Sequence, residues 1–94
     1  MTKTKTEKQR ENDAKISDAV ATLTQLSSSN LTSSHTRKVI VGAIATLGDI
    51  RQDAMVRAAT AIEALEDLAQ DPSMPSYTRV GLWTVLSKLE AIRG

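Results

Sequence analysis

Two stretches of the chain read alike and decide its fold: residues 19–51, AVATLTQLSSSNLTSSHTRKVIVGAIATLGDIR, and residues 61–93, AIEALEDLAQDPSMPSYTRVGLWTVLSKLEAIR. The second stretch lies 42 residues after the first, and nine of the 33 aligned positions are identical without a gap. Any two amphipathic helices can be slid into phase, but here two helical patterns and the turn between them match in one register. We therefore predict two copies of a helix–turn–helix unit.

The period and the turns resemble HEAT repeats. A period of 42 lies within the range of about 40 to 47 residues found in HEAT and armadillo helical pairs. A turn followed by an arginine precedes the third and fourth predicted helices, at Asp53 to Arg57 and at Asp71 to Arg79, and Arg37 holds the corresponding place in the second. Because two units are too few for a solenoid, we expect a compact, all-α, four-helix domain.

Apolar residues spaced three to four positions apart predict the four helices. The first is expected from 12 or 13 to 27, the second from 33 or 34 to about 48, the third from about 53 to 71, and the fourth from 75 or 76 to about 92. Repeat one would then span about 12–51 and repeat two about 52–94, forming a single domain over 12–94. Residues 1–11 have no apolar residue after Met1 and are predicted to be a disordered or frayed basic tail.

The composition argues against several kinds of site. The chain has no cysteine, so disulfides, thiol nucleophiles and cysteine-bound zinc are excluded. His35 is the only histidine, lies in a polar turn and has no carboxylate neighbour in sequence to orient it, so we expect a structural role. No apolar run approaches the ~18 residues that span a bilayer, and no secretory signal follows the first lysines. We expect a cytoplasmic protein with no cofactor, metal, small-molecule substrate or membrane contact.

The net charge is +1, which gives no overall attraction to nucleic acid, but the charges are unevenly placed. Residues 1–15 hold five basic residues, whereas residues 61–71 hold four acidic residues and no basic one. The inward-facing Glu-x-x-His pairs of bundle metal sites are missing, so these carboxylates are expected to form a solvated face. They are Glu63, Glu66, Asp67 and Asp71.

Three arginines stand in first helical turns, where a cation faces the positive end of the helix dipole at a cost of a few tenths of a kcal/mol. One interpretation is that they pair with acidic residues of adjacent turns. The other is that they bind phosphate or an acidic surface of a partner. The arginines are Arg37, Arg57 and Arg79, and the acidic residues are Asp49, Asp53 and Asp71.

Trp83 is one of only two aromatic residues. It lies about 100° round the fourth helix from the leucine stripe, and Val80 lies further round in the same direction. In the alignment of the two repeats, Trp83 matches Val41. It either fills the centre of the bundle or forms a self-association or partner surface, where a central Trp is a typical hot spot.

The second unit resembles uncharacterised protein family 0147, a family of small archaeal proteins. The most specific features are the run Ala59-Thr60-Ala61-Ile62 and the turn Asp71-Pro72-Ser73-Met74-Pro75 ahead of Trp83. The resemblance covers residues 55–93 well and 16–54 more loosely, because the first turn lacks the usual proline. It implies an all-helical bundle, an archaeal cytoplasm and no assigned activity, with no catalytic residue to transfer.

The first hypothesis for function is a non-enzymatic helical interaction or structural module that binds a protein partner or forms a homodimer. The alternative is an RNA- or ribosome-associated protein that uses the basic tail and the first-turn arginines. The candidate partner-binding residues are Trp83, Val80, Val41, Arg37, Arg57 and Arg79.

Overall fold

The computed structural model describes residues 6–93, and this part of the chain contains four α-helices and no strand. The helices are α1 (Glu7–Ser28), α2 (Ser34–Leu47), α3 (Ala54–Leu68) and α4 (Ser76–Glu90). The predicted all-α, four-helix domain is confirmed. The 42-residue repeat stays a prediction.

The start of α1 was predicted wrongly, because it begins at Glu7 and not at 12 or 13. Thr6 forms a capping box: its hydroxyl accepts a hydrogen bond from the Gln9 backbone N–H at 3.1 Å, and the Gln9 side chain accepts one from the Thr6 N–H at 2.8 Å. This reciprocal pair satisfies two donors at the helix end without any apolar residue. The predicted frayed tail is therefore wrong for residues 7–11, and its first five residues lie outside the described part.

The added turns of α1 hold the C-terminal segment. The buried Asn12 side chain donates to the Arg93 carbonyl at 2.6 Å and accepts from the Arg93 N–H at 3.2 Å. A single amide thus satisfies both main-chain groups of one residue that has no partner in a helix. The contact joins the N-terminal end of α1 to the C-terminal end of α4, so these helices run antiparallel.

The helices form a four-cornered bundle. α1 packs against α2 and α4, and α3 packs against α2 and α4, while α2 and α4 stand at opposite corners with no close approach between their backbones. The core between them is built from small aliphatic side chains, mainly leucine and alanine. Its fully buried large members include Leu23, Ile40, Leu47, Leu65, Leu82, Leu86 and Leu89. Of the two aromatic residues, neither belongs to the core.

Candidate interaction surface

Arg37 binds main-chain carbonyls at the end of the preceding helix. Its Nε donates to the Ser27 carbonyl at 2.7 Å, and one terminal nitrogen donates to the Ser29 and Thr32 carbonyls, each at 3.1 Å. The last carbonyls of a helix have no partner within it and carry the negative end of its dipole. A guanidinium there supplies both hydrogen bonds and charge.

The other two arginines make the same kind of contact. Arg57 donates to the Leu47 carbonyl at the end of α2, at 2.8 Å, and Arg79 donates to the Ala69 carbonyl at the end of α3, at 2.7 Å. All three arginines reach a carbonyl ten residues earlier. A cation in the first turn of one helix therefore stabilises the C-terminus of the helix before it, which offsets its unfavourable place in its own helix.

The interpretation in which the three first-turn arginines pair with acidic residues of adjacent turns was wrong. Asp49 forms its ion pair with Arg51, at 2.9 Å, and Asp71 accepts hydrogen bonds from the N–H and hydroxyl of Ser73. Side-chain and backbone hydrogen bonds from Arg51 lower the pKa of Asp49, and those from Ser73 lower the pKa of Asp71. Arg57 and Arg79 add only smaller electrostatic contributions to these two pKa shifts.

Lys15 completes this set of contacts. Its ammonium donates to the Ala91 carbonyl just after α4, at 2.9 Å, so each of the four helix C-termini is bound by a basic side chain from another helix. Lys15 lies 42 residues before Arg57, so the repeat offset pointed to it. The sequence patterns counted Lys15 only among the five basic residues of 1–15 and did not predict this role.

Trp83 is 55% exposed, so the interpretation in which it fills the centre of the bundle was wrong. Val80, 64% exposed, lies one turn before it on α4, and Tyr77 lies one turn before Val80 and is also exposed. This spacing places three large, partly apolar side chains along the outer side of one helix. Solvent-exposed apolar groups in such a row are typical of a contact surface.

Val41 is 53% exposed but does not join this row. It lies on α2, at the corner of the bundle opposite α4. Val41 and Trp83 match in the repeat alignment but lie at two separate places, because matching positions of the two hairpins face different sides of the bundle. The structure brings together Trp83 and Val80 and leaves Val41 apart.

The side of α4 that carries Trp83 turns toward α3. Gly81 lies against the Leu26 side chain of α1, and the Lys88 ammonium is 3.9 Å from the Asp18 carboxylate of α1. One flank of α4 therefore borders α1. Trp83 comes two residues after Gly81, about 200° round the helix, so it lies on the other flank.

The flank of α3 that faces α4 is identified in the same way, from the residues on its opposite flank. Ala64 and Asp67 line a groove with the α2 residues His35 and Val39, so that side of α3 borders α2. The opposite flank carries residues spaced three to four positions apart that turn toward α4. They are Met55, Ala59, Ile62 and Glu66.

We call the outer side shared by these two helices the α3–α4 face. Its exposed apolar members are Met55, Val56, Ala59, Val80 and Trp83, and its exposed acidic members are Glu63 and Glu66. Of the four pairs of adjacent helices, α3 and α4 make the least extensive backbone contact. Neither Glu63 nor Glu66 has an ion-pair partner within residues 6–93.

His35 is exposed at the start of α2, and its charge makes a small contribution to the lowered pKa of Asp71. Within residues 6–93 there is no group of three His, Asp or Glu side chains placed to bind a metal ion. Over the same residues, no helix combines the length and hydropathy that a bilayer crossing requires.

Comparison with known proteins gives matches along almost the whole chain. A UPF0147 protein of Saccharolobus islandicus is 39% identical over 83 residues, which cover 88% of this chain and 93% of the relative. A UPF0147 protein of Aeropyrum pernix is 37% identical and covers 88% and 91%.

Two crystal structures share the fold. One, of an unknown-function protein named MMP1188, has a TM-score of 0.83 at 28% identity and covers 99% of this chain and 100% of its own. The other, a Thermoplasma acidophilum protein of the same uncharacterised family, has a TM-score of 0.83 at 30% identity and covers 89% and 99%. The sequence model of uncharacterised protein family UPF0147 matches residues 3–92, and the chain belongs to that family.

Proposed function

We propose that the protein is a non-enzymatic interaction module of the cytoplasm that binds another protein through the α3–α4 face. The observation that carries this proposal is the exposure of Trp83, the only tryptophan, beside Val80 on a bundle whose core is closed by leucines. Tryptophan contributes strongly to protein–protein binding when a partner removes it from water. The exposed apolar residues of α3, Met55, Val56 and Ala59, extend the surface that such a partner would cover.

The arginines support a structural role over a binding role. The guanidinium groups of Arg37, Arg57 and Arg79 each donate two or more hydrogen bonds to carbonyls of the chain itself. Fewer of their donors are free for a phosphate or an acidic partner. Contact with RNA or the ribosome through these residues and the basic tail stays a prediction, and no contact of the described residues favours it.

Site-specific photo-crosslinking tests the proposal. A benzoylphenylalanine at position 84, next to Trp83 and exposed, is compared with one at position 42, its equivalent 42 residues earlier and exposed on α2. Gly42 has open space around it, so it accepts the probe. The protein is added to an extract of Saccharolobus solfataricus, which encodes a relative 39% identical to this chain.

We expect a discrete crosslinked protein with the probe at position 84 that is absent with the probe at 42 and lost when Trp83→Ala is added. A product that is a second copy of the chain would assign the face to self-association. Equal products from both positions, or a product unaffected by Trp83→Ala, would contradict the proposal.

A further inference from the structure

We infer that the partner segment bound by the α3–α4 face is a basic amphipathic helix. This inference rests on the function proposed above and adds the chemistry of the occupant. The first reason is the placement of the exposed apolar side chains. Met55 and Ala59 lie on α3, and Val80 and Trp83 lie on the neighbouring helix α4. An exposed apolar surface on two neighbouring helices accepts the apolar side of a third helix whose anchors recur every three to four residues.

The second reason is charge. Glu63 lies one and two turns from Thr60 and Val56 in the same outward row of α3, and Glu66 follows Ile62 on the flank toward α4. Both carboxylates are exposed, and neither has an ion-pair partner among residues 6–93. Asp67, another exposed carboxylate, lies on the side of α3 toward α2, and residues 61–71 contain no basic residue.

The two cations nearest this face each have a partner elsewhere in the chain. Arg79 binds the Ala69 and Asp71 carbonyls at the end of α3, and Lys88, which also lines the depression beside Val80 and Trp83, has its ammonium 3.9 Å from the Asp18 carboxylate of α1. At the far end of α4, Glu90 adds another exposed carboxylate. The apolar strip is thus bordered by negative charge, and a partner with lysines or arginines beside its apolar anchors complements it.

The same charges disfavour the other occupants. A nucleic acid would bring phosphates against the exposed carboxylates of Glu63, Glu66 and Glu90, and an acidic helix would be repelled by the same three groups. A second copy pairing through this face would bring the acidic α3 faces of both chains to one interface.

The intrinsic fluorescence of Trp83 gives a direct test, because it is the only tryptophan and is half exposed. The probe is a synthetic amphipathic peptide of about 18 residues, with leucines every three to four positions and lysines elsewhere. A matched peptide carries glutamate in place of each lysine. Each peptide is titrated into the full chain at low and at high salt.

We expect the lysine peptide to shift the Trp83 emission to shorter wavelength and the glutamate peptide to leave it unchanged. The double variant Glu63→Gln and Glu66→Gln should weaken binding of the lysine peptide about tenfold, because it removes two charge pairs with the peptide. The matched control, Glu7→Gln with Glu11→Gln on α1, removes two exposed carboxylates far from this face and should leave binding unchanged. High salt should weaken binding.

Equal binding of both peptides, or equal loss in both double variants, would overturn the inference. An emission shift that grows with protein concentration without peptide would overturn it in favour of a second copy. If neither peptide binds while crosslinking at position 84 still depends on Trp83, the inference fails and the proposed function stands. If that crosslinking also fails, both are wrong.

Discussion

The first hairpin, α1 with α2, and the second, α3 with α4, resemble each other inside and differ outside. Leu23 and Leu65 match in the repeat alignment and are both fully buried, and Arg37 and Arg79 bind carbonyls at the same two offsets. Outside, the first hairpin exposes three large apolar side chains, of which only Val41 lies on a helix while Leu31 and Ile50 lie in loops, whereas the second hairpin exposes five, all on its helices. The five are Met55, Val56, Tyr77, Val80 and Trp83.

This contrast separates what builds the bundle from what is available for binding. Both hairpins share the residues that fill the core and the residues that bind the helix ends. Folding alone therefore explains these residues. The apolar and acidic surface of the second hairpin has no equivalent in the first, and folding does not require it. The comparison therefore points to the second hairpin as the binding element.

The largest expected effect concerns the shared arginines. Arg37→Ala and Arg79→Ala should each lower the free energy of unfolding by about 2 kcal/mol, because each removes charged hydrogen bonds from partly buried helix ends. Arg51→Ala is the control, since Arg51 is exposed and an ion pair in water contributes little to stability. Urea unfolding measures all three. A loss no greater than that of Arg51→Ala would show that the arginines are not needed for the bundle.

Two glycines should respond to alanine in opposite directions. A Cβ at Gly81 would lie 2.7 Å from the buried Leu26 side chain, whereas nothing lies within 4 Å of a Cβ at Gly42. Gly81→Ala should destabilise by about 1 kcal/mol, since crowding exceeds the gain in helix propensity. Gly42→Ala should stabilise by up to about 1 kcal/mol. Thermal unfolding distinguishes the signs; a stabilising Gly81→Ala would mean that α1 and α4 can separate locally.

Thr36 and Thr78 occupy matching positions in the two hairpins but differ in their hydrogen-bond partners. The Thr36 hydroxyl accepts a hydrogen bond from the N-cap Ser33 at 2.9 Å, whereas Pro75 takes the N-cap position before Thr78. The buried Thr78 hydroxyl has no partner within residues 6–93. Thr36→Val should therefore cost about 1 kcal/mol, and Thr78→Val should be neutral or stabilise by up to about 1 kcal/mol. Equal losses in urea unfolding would show that Thr78 is satisfied in solution.

The smallest effect depends on pH and concerns the turn of the second hairpin. Hydrogen bonds from Ser73 lower the pKa of Asp71 in the folded chain. A lowered folded pKa stabilises the protein above the unfolded value, about pH 4, and this stabilisation is lost as pH falls through the folded pKa. Ser73→Ala removes the main cause, so the melting temperature should fall less steeply on acidification. An unchanged acid profile would contradict this assignment.

Sequence periodicity predicted four helices because the apolar spacing of each helix depends only on neighbouring residues. The extra turns of α1 escaped it because the Thr6–Gln9 capping box stabilises a helix start that has no apolar stripe. The acceptors of the arginines escaped it because they are backbone carbonyls brought close only by helix packing. The exposure of Trp83 also depends on tertiary structure, since its angle on α4 does not say how closely α3 approaches.

The most direct test of the difference between the hairpins compares Trp83→Ala with Val41→Ala. Both side chains are about half exposed, at 55% and 53%, and occupy equivalent positions in the two hairpins. We predict similar melting temperatures for both variants, with partner crosslinking from position 84 lost only in Trp83→Ala. Loss of crosslinking in both variants, or in neither, would contradict the assignment of binding to the second hairpin.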